Sequence, residues 1–285
     1  VEIVLDLASS QAATMKPAAF DYLRIDCLEH ALEMLEESGE GARILAGGQS
    51  LLPILNMRLL EAELLLDISR TPDLKHLGIS QGYLVVGAGV TQGELEWRGS
   101  LSEEVPLLAQ ALPSIAHFQI RNRGTVCGSI AHADPSAELP LVLSALDGEV
   151  VLASTREKRV LKARDFFQGM LTTARAPNEL IEAVRFPLRS ATSRYGFAEF
   201  STRHGDYALV ACAAVTRPDE IRLAVGGVAD RPVVSVWPRL TDDALKTAIN
   251  DLSWELDAQD EPEISAAYRR HLVRVLALEA IEGGI

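Results

Sequence analysis

Two stretches of this 285-residue chain collect residue types that neither a plain core nor a plain surface would need. The first is AGGQSLLP, Ala46 to Pro53. Consecutive glycines after a short apolar run let the chain turn tightly and leave backbone N–H groups bare, a concave donor site suited to phosphate. Gln49 and Ser50 add polar donors, and the start of a helical turn adds a favourable dipole end. The same glycines also suit a turn that merely reverses the chain. The second stretch is IRNRGTVCGSIAHADPSAELP, Ile120 to Pro140. There Thr125, Gly128 and Ser129 offer backbone and hydroxyl donors, and Asp134 or Glu138 offers a carboxylate able to hold sugar hydroxyls.

Several other chemistries fit poorly. No Gly-Lys-Ser/Thr follows the first loop, so the lysine and magnesium ligand of a P-loop are missing. GAGVTQG, Gly87 to Gly93, imitates a dinucleotide fingerprint, but its third glycine comes one position late. A strand end followed by a capped helix accounts for it better, with Thr91 as N-cap and Glu94 reaching back. His117, Cys127, His132 and Asp134 lack the ligand spacing of a zinc site, and Ser129 with His132 lacks a nucleophile elbow, so neither a metal nor a catalytic side chain is expected. The three cysteines, Cys27, Cys127 and Cys212, are far apart, so this chain alone holds neither an iron–sulfur cluster nor a disulfide framework. Two donor-rich loops without a lysine anchor suit a ligand with a diphosphate in its middle. A flavin dinucleotide fits that description.

The elements that must position these loops follow from the hydrophobic pattern. Leu28, Ala31, Leu32 and Leu35 share one face of a helix over 27–37. ARIL and ELLLDISR read as buried strands, and LKHLGIS with YLVVGAG as a hairpin around Gln81-Gly82. PLLAQALPSIAHFQ is a helix interrupted at Pro113, and LPLVLSALDG a helix stopped by Gly148. EVVLAS and KRVLKA pair, and ELIEAVRFP ends at Pro187. Beyond that point YGFAEFSTR, YALVACAAVTR and EIRLAVGGVA form an antiparallel meander. The tail from Asp242 is helical, with Ile264, Ala267, Leu272, Val275, Leu278, Ala280 and Ile281 as its apolar stripe. Mixed α/β followed by strands and then helices is an α+β signature, with a boundary near residue 190.

Composition narrows the partners. Apolar residues make up 48% and charged residues 24%, with a net charge of -13, which repels rather than attracts nucleic acid. No apolar run reaches the roughly 18 residues of a membrane span. Sparse, odd cysteines make a reducing compartment, the cytoplasm, the default. Residues 1–14, which lack the basic start of a secretory signal, read as an upstream extension or an expression remnant ahead of Met15.

AGGQSLLP and IRNRGTVCGSIAHADPSAELP together resemble the two flavin-binding signatures of the medium subunit of molybdenum hydroxylases, the xanthine dehydrogenase, carbon monoxide dehydrogenase and quinoline oxidoreductase family. The resemblance covers nearly the whole chain from Met15, including MKPAAFDY, GAGVTQGELE and RHGDYALV. It implies a two-lobed FAD-binding domain of the PCMH or vanillyl-alcohol-oxidase type over 15–190, its lobes split near residue 70. A C-terminal domain of antiparallel sheet and helices follows over 191–285. By resemblance, Ile44, Leu45, Ala46, Gly47, Gly48, Gln49, Ser50 and Leu51 wrap the FAD diphosphate with backbone amides. Thr125, Gly128 and Ser129 match the second signature, Glu138 corresponds to its acidic residue near the ribityl chain, and Asp134 lies close by. Cys127 stands where the family has the first of two glycines; a side chain fits there only if the backbone avoids the left-handed region, and it reads as a small packed residue. Arg203, Asp206 and Tyr207 match a segment beside the isoalloxazine end, where an Arg203–Asp206 ion pair is as good a reading as flavin contact. Phe197 is either a ring-packing residue or plain core.

The implied role is electron relay. A large partner carries the molybdenum cofactor and oxidises a small, N-heteroaromatic substrate, a small partner carries 2Fe–2S clusters, and FAD in this chain hands electrons to a final acceptor. The assembly implied is a heterotrimer or its dimer. Two other readings stay open on the residues: a self-sufficient FAD oxidoreductase of the same fold, and a non-catalytic nucleotide- or phosphate-binding module.

Overall fold

The computed structural model describes residues 16–262 and 264–284, so the expected extension over 1–14 and the start at Met15 lie outside the described residues. The first lobe contains strand β1 (Asp21–Arg24), helix α1 (Leu28–Ser38), strand β2 (Ala42–Leu45), helix α2 (Leu51–Asn56) and strand β3 (Leu64–Asp67). The strands form a parallel sheet in the order β1-β3-β2, with Leu65 and Leu66 of the central strand buried. Helix α1 covers it with Ala31, Leu32 and Leu35, the face that its spacing predicts.

The second lobe starts with strands β4 (Leu77–Ser80) and β5 (Tyr83–Gly87), paired as a hairpin. Gln81 and Gly82 both have positive φ, the geometry of a two-residue turn whose twist matches its strands. Six short helices follow: α3 (Gln92–Glu96), α4 (Leu101–Glu104), α5 (Pro106–Ala111), α6 (Phe118–Arg121), α7 (Val126–His132) and α8 (Glu138–Ala145). The capping box at Thr91 and Glu94 forms as read. Then come β6 (Glu149–Ala153), β7 (Lys158–Lys162), helix α9 (Ala163–Phe166), the small pair β8 (Phe167–Gly169) and β9 (Thr172–Thr173), and β10 (Leu180–Pro187). The main sheet is antiparallel in the order β4-β5-β10-β6-β7, so β10 returns between two hairpins.

After Pro187 the chain enters a four-stranded antiparallel meander, β11 (Arg194–Phe200), β12 (Val210–Thr216), β13 (Glu220–Gly226) and β14 (Val233–Pro238), backed by α10 (Asp242–Glu255) and α11 (Ala266–Glu282). Strand β14, half-exposed, carries no clear signal in the sequence. The stripe on α11 is also corrected: the helix buries Arg269, Leu272, Val273, Leu276, Ala277, Ala280 and Ile281, while Ala267 and Val275 are exposed. Apolar residues lie nearly all round this helix, so the sheet rather than the pattern decides which face turns inward.

Helix α8 joins the parts. Every one of its residues is buried, because it packs against β12 and β13 on one side and the second lobe on the other. Gln110 of α5 reinforces the junction with its side-chain amide, donating to the Tyr195 carbonyl at 2.9 Å and accepting from the Phe197 N–H at 3.0 Å. Phe197 is therefore a partly buried core residue, held by Gln110 and away from the cavity described below. Among the described residues, no helix is long and apolar enough to cross a membrane.

Candidate functional site

A cavity of about 480 Å³ opens where the two lobes meet, and the C-terminal domain supplies a further wall through Gly205, Asp206 and Tyr207. That volume lies within the range of small-molecule and cofactor sites, roughly 300–1,000 Å³. Ile44, Ala46, Gly47, Gly48, Gln49, Ser50 and Leu51 line it from the first stretch, and Thr125, Gly128, Ser129, Asp134 and Glu138 from the second. Leu45 alone of the thirteen expected residues does not. Its side chain packs on the small core of Leu55, Ala62 and Leu65 beneath the loop.

The first loop is built to present its backbone. Among the described residues, none of the N–H groups of residues 47–51 donates a hydrogen bond within the chain. Five successive donors without internal acceptors are the inventory a bound anion needs. Gly48 has φ 72°, which an L side chain rarely adopts. Gly47 is required for a different reason: a Cβ there would stand 2.2 Å from the Arg123 carbonyl oxygen, so the two loops touch through their backbones. Gln49 folds back, donating from Nε2 to the Gly47 carbonyl at 3.1 Å.

The second stretch is more helical than its composition suggests. Thr125 is 3% exposed and caps α7, its hydroxyl accepting the Gly128 N–H at 3.0 Å, while the Ser129 N–H goes to the Thr125 carbonyl. Gly128 and Ser129 thus spend their amides on the helix, which corrects the expectation of a second set of bare backbone donors. What remains for a ligand is the Ser129 hydroxyl and the proton on the Thr125 hydroxyl, since a hydroxyl that accepts still has one hydrogen to donate. Arg121 holds the stretch in place through a bidentate pair to Glu96, at 2.7 and 2.9 Å, and donates to the carbonyls of Ile115 and Ala116.

Cys127 lies in α7, buried, its Sγ 3.4 Å from the Val86 carbonyl oxygen. Its backbone is right-handed helix, so the side chain is tolerated, and burial pushes the thiol up to about 12. It is a packed, protonated residue. Arg203 forms no ion pair with Asp206; the contact between them is the Asp206 N–H to the Arg203 carbonyl at 3.0 Å, and both residues are exposed. Asp206 and Tyr207 line the cavity, and Arg203 does not.

Glu138 differs in charge from the carboxylate expected. It is 5% exposed at the start of α8, and burial first, then the charges of Glu199 and Asp134, push its pKa up to about 8. Burial also pushes Glu199 of β11 up to about 7, and its Oε2 is buried without a partner among the described residues. At neutral pH Glu138 is mostly a neutral acid, which can donate as well as accept. Asp134 accepts the Ser136 N–H at 2.9 Å. Three further polar residues, which the sequence does not single out, also line the cavity: Gln92, whose buried Oε1 has no partner among the described residues, and Arg43 and Arg175. The Thr91 capping signal reached the neighbour of Gln92, but nothing local marked the two arginines.

Bare amides, a Gln92 oxygen without a partner among the described residues and buried hydroxyl-binding groups around one cavity fit FAD, and the arrangement is that of a two-lobed dinucleotide-binding α+β protein whose C-terminal sheet domain adds to the wall. The profile of the FAD binding domain in molybdopterin dehydrogenase matches residues 18–189, and that of the CO dehydrogenase flavoprotein C-terminal domain matches residues 195–283. The chain belongs to this family: it is a flavoprotein subunit of the molybdenum hydroxylases and part of an oxidoreductase. It is similar to the nicotine 6-hydroxylase medium subunit of Paenarthrobacter nicotinovorans, 36% identical over 94% of this chain and 98% of that one. The 6-hydroxypseudooxynicotine dehydrogenase complex subunit alpha of the same organism is 43% identical over 72% of this chain and 70% of that one. A chain of carbon monoxide dehydrogenase from Hydrogenophaga pseudoflava superposes with a TM-score of 0.88 at 29% identity, covering 94% of this chain and 98% of that chain.

Proposed function

We propose that this chain is the electron-transfer subunit of a cytoplasmic molybdenum hydroxylase. It holds FAD between the 2Fe–2S clusters of a small partner and a final acceptor, while a large partner carrying the molybdenum cofactor oxidises a small N-heteroaromatic substrate. In this reading 15–190 is the cradle, split near residue 70, and 191–285 closes it, within a heterotrimer or its dimer. The observation that carries it is the convergence of residues 44–51 and 125–138 on one cavity. The relatives named for nicotine and 6-hydroxypseudooxynicotine support the substrate class. With its three cysteines scattered, this chain needs a partner to hold the clusters.

Bound FAD supplies chemistry that takes electrons singly and gives them up in pairs. The chain's own part is to hold it and to shape its surroundings. The amides of residues 47–51 meet the diphosphate, Ser129 and Thr125 donate hydroxyl protons toward the sugar chain, and Glu138 exchanges hydrogen bonds there as a neutral acid. Tyr207, largely exposed, lines the same cavity as Asp134 and Glu138. The test is the visible spectrum of the chain expressed alone, with release and identification of the chromophore. A two-banded flavin spectrum with near-equimolar FAD is expected. A colourless chain that takes up no added FAD overturns the reading.

A further inference from the structure

Arg43 and Arg175 face the same cavity from β2 and from the segment ahead of β10, and neither forms an ion pair among the described residues. Arg175 uses Nη1 for the carbonyls of Ala176 and Glu179, at 3.0 and 2.7 Å, and Arg43 uses Nη1 for those of Glu40 and Ala42. The remaining guanidinium nitrogens of both make no hydrogen bond within the described residues. Glu179, the acid nearest Arg175 in sequence, is engaged in a bidentate pair with Arg159. Burial, and then the charge of Arg43, lower the pKa of Arg175, so the two cations sit in each other's field. Glu179, held by Arg159, acts on Arg175 in the opposite sense but more weakly than burial and Arg43, so two like charges lining one cleft cost free energy that a bound anion would offset. Beside them the wall is apolar: Leu35, Ala42, Ile68, Leu180 and Ile181. The acids of the cavity, Asp134, Glu138 and Asp206, belong to other segments, and it is Asp134 and Glu138 that act on Tyr207.

We propose that Arg175, supported by Arg43, forms the subsite that recognises the adenosine-phosphate half of the dinucleotide. The guanidinium groups meet phosphate charge, and the apolar wall takes the purine. This rests on the flavin reading above and adds to it a side-chain anchor that loop amides alone do not provide. It also orients the ligand, because the phosphate-bearing half is drawn to the arginines and away from Asp134 and Asp206.

Calorimetric titration of the full-length chain, stripped of flavin, with FAD, ADP and riboflavin at low and moderate salt tests it. ADP alone binds the unaltered chain and competes with FAD. Arg175→Met weakens ADP about tenfold or more, the loss expected of one charge-assisted contact, and flattens the salt dependence. Arg175→Lys keeps the salt dependence because it keeps the charge, and so guards against a variant that fails to fold. ADP affinity unchanged in both Arg175→Met and the Arg43→Met/Arg175→Met pair, with FAD still bound, overturns the subsite and leaves the flavin reading standing. An unaltered chain that binds neither FAD nor ADP overturns both.

Discussion

Replacing Glu138 by glutamine isolates the energetic consequence of a buried acid. In the folded chain its pKa is raised from 4.5 to about 8, chiefly by burial and further by the negative charges of Glu199 and Asp134. The unfolded chain releases this proton near the ordinary carboxyl value, so between about pH 4.5 and 8 the folded state holds a proton that the unfolded state has lost. Stability from this group is therefore full below 4.5, falls as pH rises, and is exhausted above about 8. At 1.36 kcal/mol per pH unit the interval sets a ceiling of about 5 kcal/mol. Glutamine fills the same space, makes comparable hydrogen bonds and never ionises. The assay is urea unfolding of the flavin-stripped chain at pH 5, 7 and 8.5, for the unaltered protein and for Glu138→Gln. The variant gains on the unaltered chain as pH rises, by at least about 1 kcal/mol between pH 5 and 8.5, a fraction of that ceiling. Glu199 is present in both proteins, and its coupling to Glu138 is part of the difference measured. A difference that stays constant across this range refutes the reasoning.

Gly47→Ala forces a methyl group toward the Arg123 carbonyl, 2.2 Å from the ideal Cβ position, and should cost on the order of 3 kcal/mol of stability in the flavin-free chain. Urea unfolding checks this, and an unchanged midpoint contradicts the contact between the loops. The cysteines should react in order of exposure: Cys27, half-buried, modifies readily with a thiol reagent at neutral pH, while Cys127 and Cys212 react only on unfolding. Counting modified thiols by mass before and after denaturation separates the three.

Short-range signals survived the passage from sequence to structure well. The Gln81-Gly82 hairpin, the Thr91 capping box and the face of α1 depend on neighbours within a few residues, and each forms as expected. The same holds for the turn at Gly48, whose positive φ is local, whereas the need for glycine at Gly47 comes from the distant Arg123 carbonyl. What stayed hidden depends on distant partners. Strand β1 is four residues, Asp21–Arg24, with little apolar pattern, and exists because β3 offers it an edge. Strand β14, Val233–Pro238, is a half-exposed edge strand. Glu138 and Glu199 are brought near each other only when α8 packs under the C-terminal sheet, and Arg43 reaches Arg175 only when the lobes close. Thr125 and Gly128 were recognised as residue types, but their hydrogen bond to each other, which removes an amide from the ligand, needed the helix to be seen.

The cavity draws its walls from three parts of the chain: residues 42–54, residues 115–138, and Gly205 to Tyr207. This has a consequence for biogenesis. A ribosome delivers the first two parts long before the third, so the nascent chain has an open trough until Tyr207 emerges and the meander folds against α8. The complete cavity therefore forms only after synthesis of the C-terminal domain. Once seated, a dinucleotide would touch all three parts and tie the ends of the polypeptide's longest excursions together. A ligand that spans all three parts binds only the folded form and so stabilises it by mass action.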